Sequence, residues 1–282
     1  MIQWIIDPFA YAFMQRGFLA AILVGILCAV IGCFVVLRGM AFLGDAMAHA
    51  ILPGVAIAYL LQGNLLVGAL IAAIVVALGI SLFSRNGMIK EDTAIGIFFA
   101  AALSLGVALI SGIRSYAVDL SHILFGNVLG VSVSDLWMTG VLSVIVIAAI
   151  VILYKPFMVI SFDPVLAATL RMPANLLRSL LLVLIALTVV VSMQTVGVGL
   201  VAAMLVTPGA TAYLLTKRLA KMLLVSAVIG AIASIAGLYL SFYLNIASGA
   251  AIVLCATFLF ILAYLFAPGK GLIHQGSRLS TN

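Results

Sequence analysis

The sequence predicts an all-α fold, a polytopic bundle of about nine (8–9) membrane-spanning helices. Three observations predict it. Of 282 residues, 67% are hydrophobic and 7% charged, whereas soluble domains carry roughly 25% charged residues. The apolar residues fall in runs of about 20, the length a helix needs to cross a bilayer. The basic residues fall between those runs, where they set orientation. No segment between runs is long enough for a separate soluble domain, so residues 1–282 are expected to form a single transmembrane domain in a lipid bilayer.

Taken in order, the expected spans are 17–37, 41–61, 64–84, 93–111, 135–154, 176–195, 197–216, 222–243 and 249–267. Tight turns near Gly39, Gly63 and Gly197 divide runs that lie close together. The first span is not the apolar core of a signal peptide: Asp7 precedes the first basic residue, Arg16, and the run is too long. Glu91 and Asp92 precede the fourth span, where acidic side chains favour a helix start; capping is enough to explain them. The segment 112–134, with His122-Ile-Leu-Phe-Gly-Asn, is too apolar for a plain solvated loop and is expected to lie on the membrane or dip into it.

Placing the loop after the first span in the cytoplasm puts Arg38, Arg85, Lys90, Lys155, Arg171, Arg178, Lys217, Arg218, Lys221, Lys270 and Arg278 inside. Only Arg16 and Arg114 are left outside. That asymmetry orients the chain with its N-terminus outside and its C-terminus in the cytoplasm. The net charge of +6 is then a topology signal, and no nucleic-acid partner is expected. Cys28, Cys33 and Cys255 lie within apolar runs and read as small buried hydrophobes.

Asp45 and His49 interrupt the second span. Four residues apart, they share one helical face and offer a carboxylate oxygen and an imidazole nitrogen to a divalent metal. Intramembrane ionisable groups usually mark a pathway; the alternative is that the pair only holds the bundle together. Gly44, Ala46, Ala48 and Ala50 let another helix come close. Pro53-Gly54 follows within a turn and should kink the helix. Two ligands are too few for a transition-metal site. Two copies around a two-fold axis would supply four, which hints at a homodimer. Leu52-Pro-Gly is echoed by Thr207-Pro-Gly, making Pro208 and Gly209 a second expected kink, although so short an echo can arise by chance.

Between the fifth and sixth spans, Ser161-Phe-Asp-Pro-Val-Leu-Ala-Ala-Thr-Leu-Arg-Met-Pro173 carries its own start and stop signals. Asp163 is a candidate N-cap with Pro164 at the first helical position, and Pro173 should end the helix. The result is a helix of about two turns, roughly 163–172. It reads either as a plain connection or as a docking helix whose small residues Ala167, Ala168 and Thr169 enter a partner's groove. His122, with Asp119 three residues before it, is either an interfacial anchor or a weak entry site for metal. No phosphate-binding G-x-x-x-x-G-K-[ST] loop, serine triad or zinc-protease motif occurs. This chain is therefore expected neither to bind ATP in that manner nor to be an enzyme, and no permanently bound cofactor is expected.

These residues resemble a known family: the membrane permease subunits of bacterial ABC importers for manganese, zinc or iron, its manganese branch in particular. The stretches that carry the resemblance are 32–56 (Gly-Cys-Phe-Val-Val-Leu-Arg through His-Ala-Ile-Leu-Pro-Gly-Val-Ala), Asp92-Thr-Ala-Ile-Gly-Ile, His122-Ile-Leu-Phe-Gly-Asn, Ser161-Phe-Asp-Pro and Ala203-Met-Leu-Val-Thr-Pro-Gly-Ala-Thr-Ala-Tyr. The resemblance implies a homodimeric permease in the bacterial cytoplasmic membrane. It implies two cytoplasmic ATP-binding-cassette subunits and an external metal-binding lipoprotein or periplasmic receptor. It also implies that Asp45 and His49 are the pathway ligands for transported Mn²⁺ (or Zn²⁺ or Fe²⁺), and that Asp163, Pro164, Ala167, Ala168 and Arg171 belong to the coupling helix. The rivals are a gradient-driven secondary transporter, a permease for an organic chelate, and a scaffold in which the pair is structural.

Overall fold

The computed structural model describes residues 7–85, 89–111 and 128–267. Twelve α-helices occur among them: α1 (Ala12–Leu37), α2 (Leu43–Ala50), α3 (Leu52–Leu60), α4 (Leu65–Ser84), α5 (Glu91–Ser111), α6 (Val133–Ile152), α7 (Tyr154–Phe162), α8 (Pro164–Thr169), α9 (Ala174–Val196), α10 (Val198–Leu215), α11 (Leu219–Leu244) and α12 (Ser248–Phe266). With α2 and α3 taken as one span and α7 and α8 as short connectors, nine helices among the described residues are long and apolar enough to cross a membrane. Their limits lie within a few residues of those expected.

Local chemistry sets the ends. Gly39 adopts φ +69°. The Met40 amide donates to the Val35 carbonyl at 3.0 Å and the Gly39 amide to the Val36 carbonyl at 3.2 Å. This is the Schellman closure, in which a left-handed residue lets the chain cap its own last turn. The turn after α3 closes in the same way, but its left-handed residue is Gln62 (φ 51°) and not Gly63. Asn64 then caps α4 by accepting from the Leu66 amide. Ser132 and Asp135 form a reciprocal capping box at the start of α6.

The first span is the axle of the bundle. α1 packs against α6, α9, α10 and α11, and 72% of its most apolar stretch is buried. Small residues allow this. A side chain at Gly32 would run into the Leu205 carbonyl of α10, and one at Gly25 into Ser234 and Gly230 of α11. Lipid tails offer no hydrophobic drive for helices to associate, so close backbone approach and dispersion contacts hold such bundles together.

One end of the bundle gathers the basic residues. Arg38, which follows α1, reaches Glu91 at the head of α5. Arg178 in α9 donates to the Ser84 carbonyl at the end of α4. Phe157 of α7 packs on Phe34 of α1, and Cys33 lies against the Met222 carbonyl near the head of α11. Lys155, Lys217, Arg218 and Lys221 therefore cluster at this Arg38 end, whereas Arg16 lies near the head of α1 at the other.

Candidate metal site

The second span is built in two pieces. α2 ends at Ala50 and α3 begins at Leu52, with Ile51 between them outside regular helix. Pro53 has no amide hydrogen, and the carbonyl it would serve in a continuous helix is that of His49, four residues back. The expected kink is therefore a break immediately after the candidate ligand. The Leu52–Pro53 backbone is pressed by Gly106 of α5: a Cβ there would lie 2.7 Å from Leu52 Cβ and 3.2 Å from the Pro53 nitrogen. Gly54 meets Gly68 of α4 just as closely, with the backbone carbonyl of each in the path of a Cβ on the other.

α2 divides sharply into two faces. Leu43, Gly44, Ala46, Met47, Ala48 and Ala50 are buried, and a Cβ on Gly44 would meet Leu205 of α10 at 2.9 Å. The other face carries Asp45 and His49. The Asp45 Oδ1 and His49 Nε2 atoms are 3.8 Å apart, and the side chains are 44% and 31% exposed. At that distance they share no hydrogen bond; both point into the same open space. Phe99 of α5 walls it, its ring edge-on to His49 at 6.0 Å and to Phe42 at 5.4 Å between centroids.

Among the described residues there is no group of three or more His, Cys, Asp or Glu able to hold a metal. Asp119 and His122 lie outside the described residues. An apolar cavity of about 640 Å³ lies beside the break between α3, α4 and α5, lined by residues such as Ala50, Pro53, Ile57 and Phe98; neither Asp45 nor His49 lines it. With Asp45 in the first turn of α2 and His49 in its last, the pair sits near the Arg38 end of an 18-residue span. Pro208 and Gly209 lie inside α10, which stays continuous through them.

A second polar cluster was not anticipated. Glu91 heads α5 but turns inward instead of serving only as a cap. It accepts from Arg38 Nη2 at 2.7 and 3.1 Å and lies 3.9 Å from Arg178 Nε. Burial pulls the Arg38 pKa down, and the Glu91 charge opposes that shift. The Arg38 Nη1 atom is buried with no partner among the described residues. Alongside, the Ser81 and Ser179 hydroxyls meet at 2.6 Å. Sequence reading assigned Glu91 and Asp92 alike to capping; nothing local tells which of two adjacent acids faces a distant arginine.

The connector between the fifth and sixth spans forms as expected at its start. The Asp163 carboxylate accepts from the Val165 and Leu166 amides at 3.0 and 2.9 Å, and Pro164 opens α8. The stop differs. α8 ends at Thr169, four residues before Pro173, because Arg171 takes φ 52° and the Met172 amide donates back to the Ala167 carbonyl at 3.0 Å. Ala168 lies within α8. Ala167 is fully buried and packs inward, so it is not a groove-entering residue. The outward residues are Val165, Leu166 and Leu170, 76%, 44% and 57% exposed. The helix α7 that precedes α8 was not expected; its head coincides with the end of a long apolar run that read as one span.

Three comparisons bear on this arrangement. The chain matches the ABC 3 transport family over residues 10–267. It is 51% identical over 264 residues to a protein of Halalkalibacterium halodurans named manganese transport system membrane protein MntC, covering 94% of this chain and 90% of that one. It is 40% identical over 267 residues to a Haemophilus influenzae protein named probable iron transport system membrane protein, covering 95% and 98%. Among solved structures, it superposes on a chain of PsaBC from Streptococcus pneumoniae in complex with Fab with a TM-score of 0.84 at 40% identity. That match covers 98% of this chain and 100% of the other.

Proposed function

The chain belongs to the ABC 3 transport family, and on that premise we propose that it is the permease subunit of an ATP-driven importer of divalent transition-metal ions, with Mn²⁺ as cargo. The observation that carries the reading is the Asp45–His49 pair: two candidate ligands 3.8 Å apart, partly exposed on one side of the span, with no third beside them among the described residues. A second copy across a two-fold axis would complete the set with two carboxylates and two imidazoles. The two carboxylates would then offset the 2+ charge that makes an ion costly inside a membrane. The imidazoles bind only when neutral, so acid should weaken binding.

In this reading the Arg38 end is cytoplasmic and the protein spans a bacterial cytoplasmic membrane, C-terminus inside, consistent with positive-inside topology. Val165 and Leu166 of α8 and Leu170 just after it are the apolar contacts for an ATP-binding-cassette subunit, one on each copy. An external metal-binding receptor delivers the ion to the opposite end. The oxygen and nitrogen donors accept Mn²⁺, Fe²⁺ and Zn²⁺, and zinc lies higher in the affinity series. The donors alone therefore do not choose the metal; the name of the 51%-identical relative favours manganese, and iron is the second reading because of the Haemophilus protein.

Uptake of radioactive Mn²⁺ by cells lacking their own importer tests the proposal. Asp45→Ala and His49→Ala, with membrane levels and ATPase assembly confirmed, are expected to reduce uptake to background. Wild-type uptake by either variant overturns the site. Uptake by the permease alone, without ATPase and abolished by collapsing the ion gradient, overturns the importer class.

A further inference from the structure

We infer that Glu91 is a positioning residue for transport: clamped by Arg38 and Arg178, it makes α5 the lever that links the coupling helix α8 to the Asp45–His49 pair. The inference rests on the permease reading above.

The lever has contacts at three heights. At its head, Glu91 is held by guanidiniums from α1 and α9. Eight residues on, roughly 12 Å along the axis, Phe99 faces His49 edge-on. Further still, Gly106 presses on Leu52–Pro53, the break that follows His49. α5 thus touches both the imidazole and the break beside it. Between these points α5 packs on α2, α3 and α4, the two pieces of the metal-site span among them, so a shift of α5 is passed directly to the pair.

The other grip leads to α8. Arg171 ends that helix in left-handed conformation, Pro173 caps α9, and Arg178 lies in the second turn of α9. A push on α8 therefore reaches Arg178 within two turns, and Arg178 holds both Glu91 and the Ser84 carbonyl of α4.

The composition of the cluster fits a device with two arrangements better than a staple. Two guanidiniums share one carboxylate, and Arg38 Nη1 is buried with no acceptor among the described residues. Buried ion pairs contribute little net stability because desolvation offsets their attraction, and an unmet donor adds a further cost. The Ser81–Ser179 hydrogen bond already ties α4 to α9 at the same end. An incomplete cluster at the meeting point of four spans has a second arrangement available when α9 shifts.

The test uses the whole transporter, permease with ATPase subunits, in liposomes, reading Mn²⁺ uptake and ATP hydrolysis in one sample. Mn²⁺ binding to the purified permease is measured separately. Glu91→Gln is expected to leave Mn²⁺ affinity within about twofold and assembly intact, while Mn²⁺ moved per ATP falls at least tenfold. Glu91→Asp, which keeps the charge on a shorter arm, should fall between. Unchanged Mn²⁺ per ATP in Glu91→Gln overturns the inference. So does a parallel loss of melting temperature, uptake and hydrolysis, which is the signature of a staple. If Glu91→Gln does not assemble, Gly106→Ala probes the other end of the lever, and normal Mn²⁺ per ATP there overturns the inference equally. Wild-type transporter that moves Mn²⁺ without hydrolysis would instead sink the permease reading itself.

Discussion

Two spans of this protein carry the same words and fold differently. Leu52-Pro-Gly and Thr207-Pro-Gly each run on to an Ala-Tyr-Leu-Leu or closely related end. Yet the second span breaks at Ile51, whereas α10 passes through Pro208 without interruption. The proline removes one amide in both. What differs is the setting. Around Pro208 the helix is gripped backbone to backbone by α1, with Gly209 on Gly32 and Gly32 on the Leu205 carbonyl. The Thr211 hydroxyl also donates to the Thr207 carbonyl at 2.7 Å. Ahead of Pro53 the helix is amphipathic, with one face half open, and α5 bears on the break itself. A proline therefore sets where a helix can part; packing on both sides determines whether it does. The break falls beside the candidate metal pair, and the uninterrupted helix forms the wall behind it.

Substituting the two prolines would break this comparison most directly. Pro53→Ala returns an amide to the His49 carbonyl and should join α2 to α3. Mn²⁺ uptake is expected to fall about tenfold or more with stability unchanged or raised, as for a hinge that no longer bends. Pro208→Ala is expected to keep uptake within about twofold, since α10 is already continuous. Equal losses in both would show that the break is not the functional difference.

The glycines sharpen the contrast at the level of stability. Gly54→Ala forces a Cβ into the Gly68 carbonyl and should cost about 1–3 kcal/mol, read as a lower melting temperature of the purified permease. Gly209→Ala meets Gly32 at 3.0 Å, a contact that a few tenths of an ångström would relieve, and its cost should be smaller. The smallest effect belongs to Thr211→Val. It removes one side-chain hydrogen bond inside a helix, worth about 0.5 kcal/mol, and should leave uptake unchanged. A larger loss would mean that the hydroxyl is what carries α10 past its proline.

Much was legible before the fold. Nine apolar runs were readable because span length is a property of consecutive residues. The Asp45–His49 proximity was readable because four residues make one helical turn. Asp163 was readable as a cap because its partners lie two and three residues away. The misreadings share a cause. Gln62 in place of Gly63, and Arg171 in place of Pro173, close helices through left-handed backbone that non-glycine residues adopt only when surrounding contacts offset the strain. Ala167 turned inward because α8 packs on its neighbours, which composition does not reveal.

The number of spans, the end at which the basic residues gather, and the single turn that holds both candidate ligands were written in the order of the amino acids. Each follows from local spacing and from the cost of placing charge in lipid. Packing in three dimensions was needed to set Glu91 between arginines 53 residues before it and 87 after it, to stand Phe99 against His49, and to break one helix at its Pro-Gly but not the other. Those outcomes depend on which helices are neighbours and on how closely their backbones approach, and no local rule along the chain contains that information.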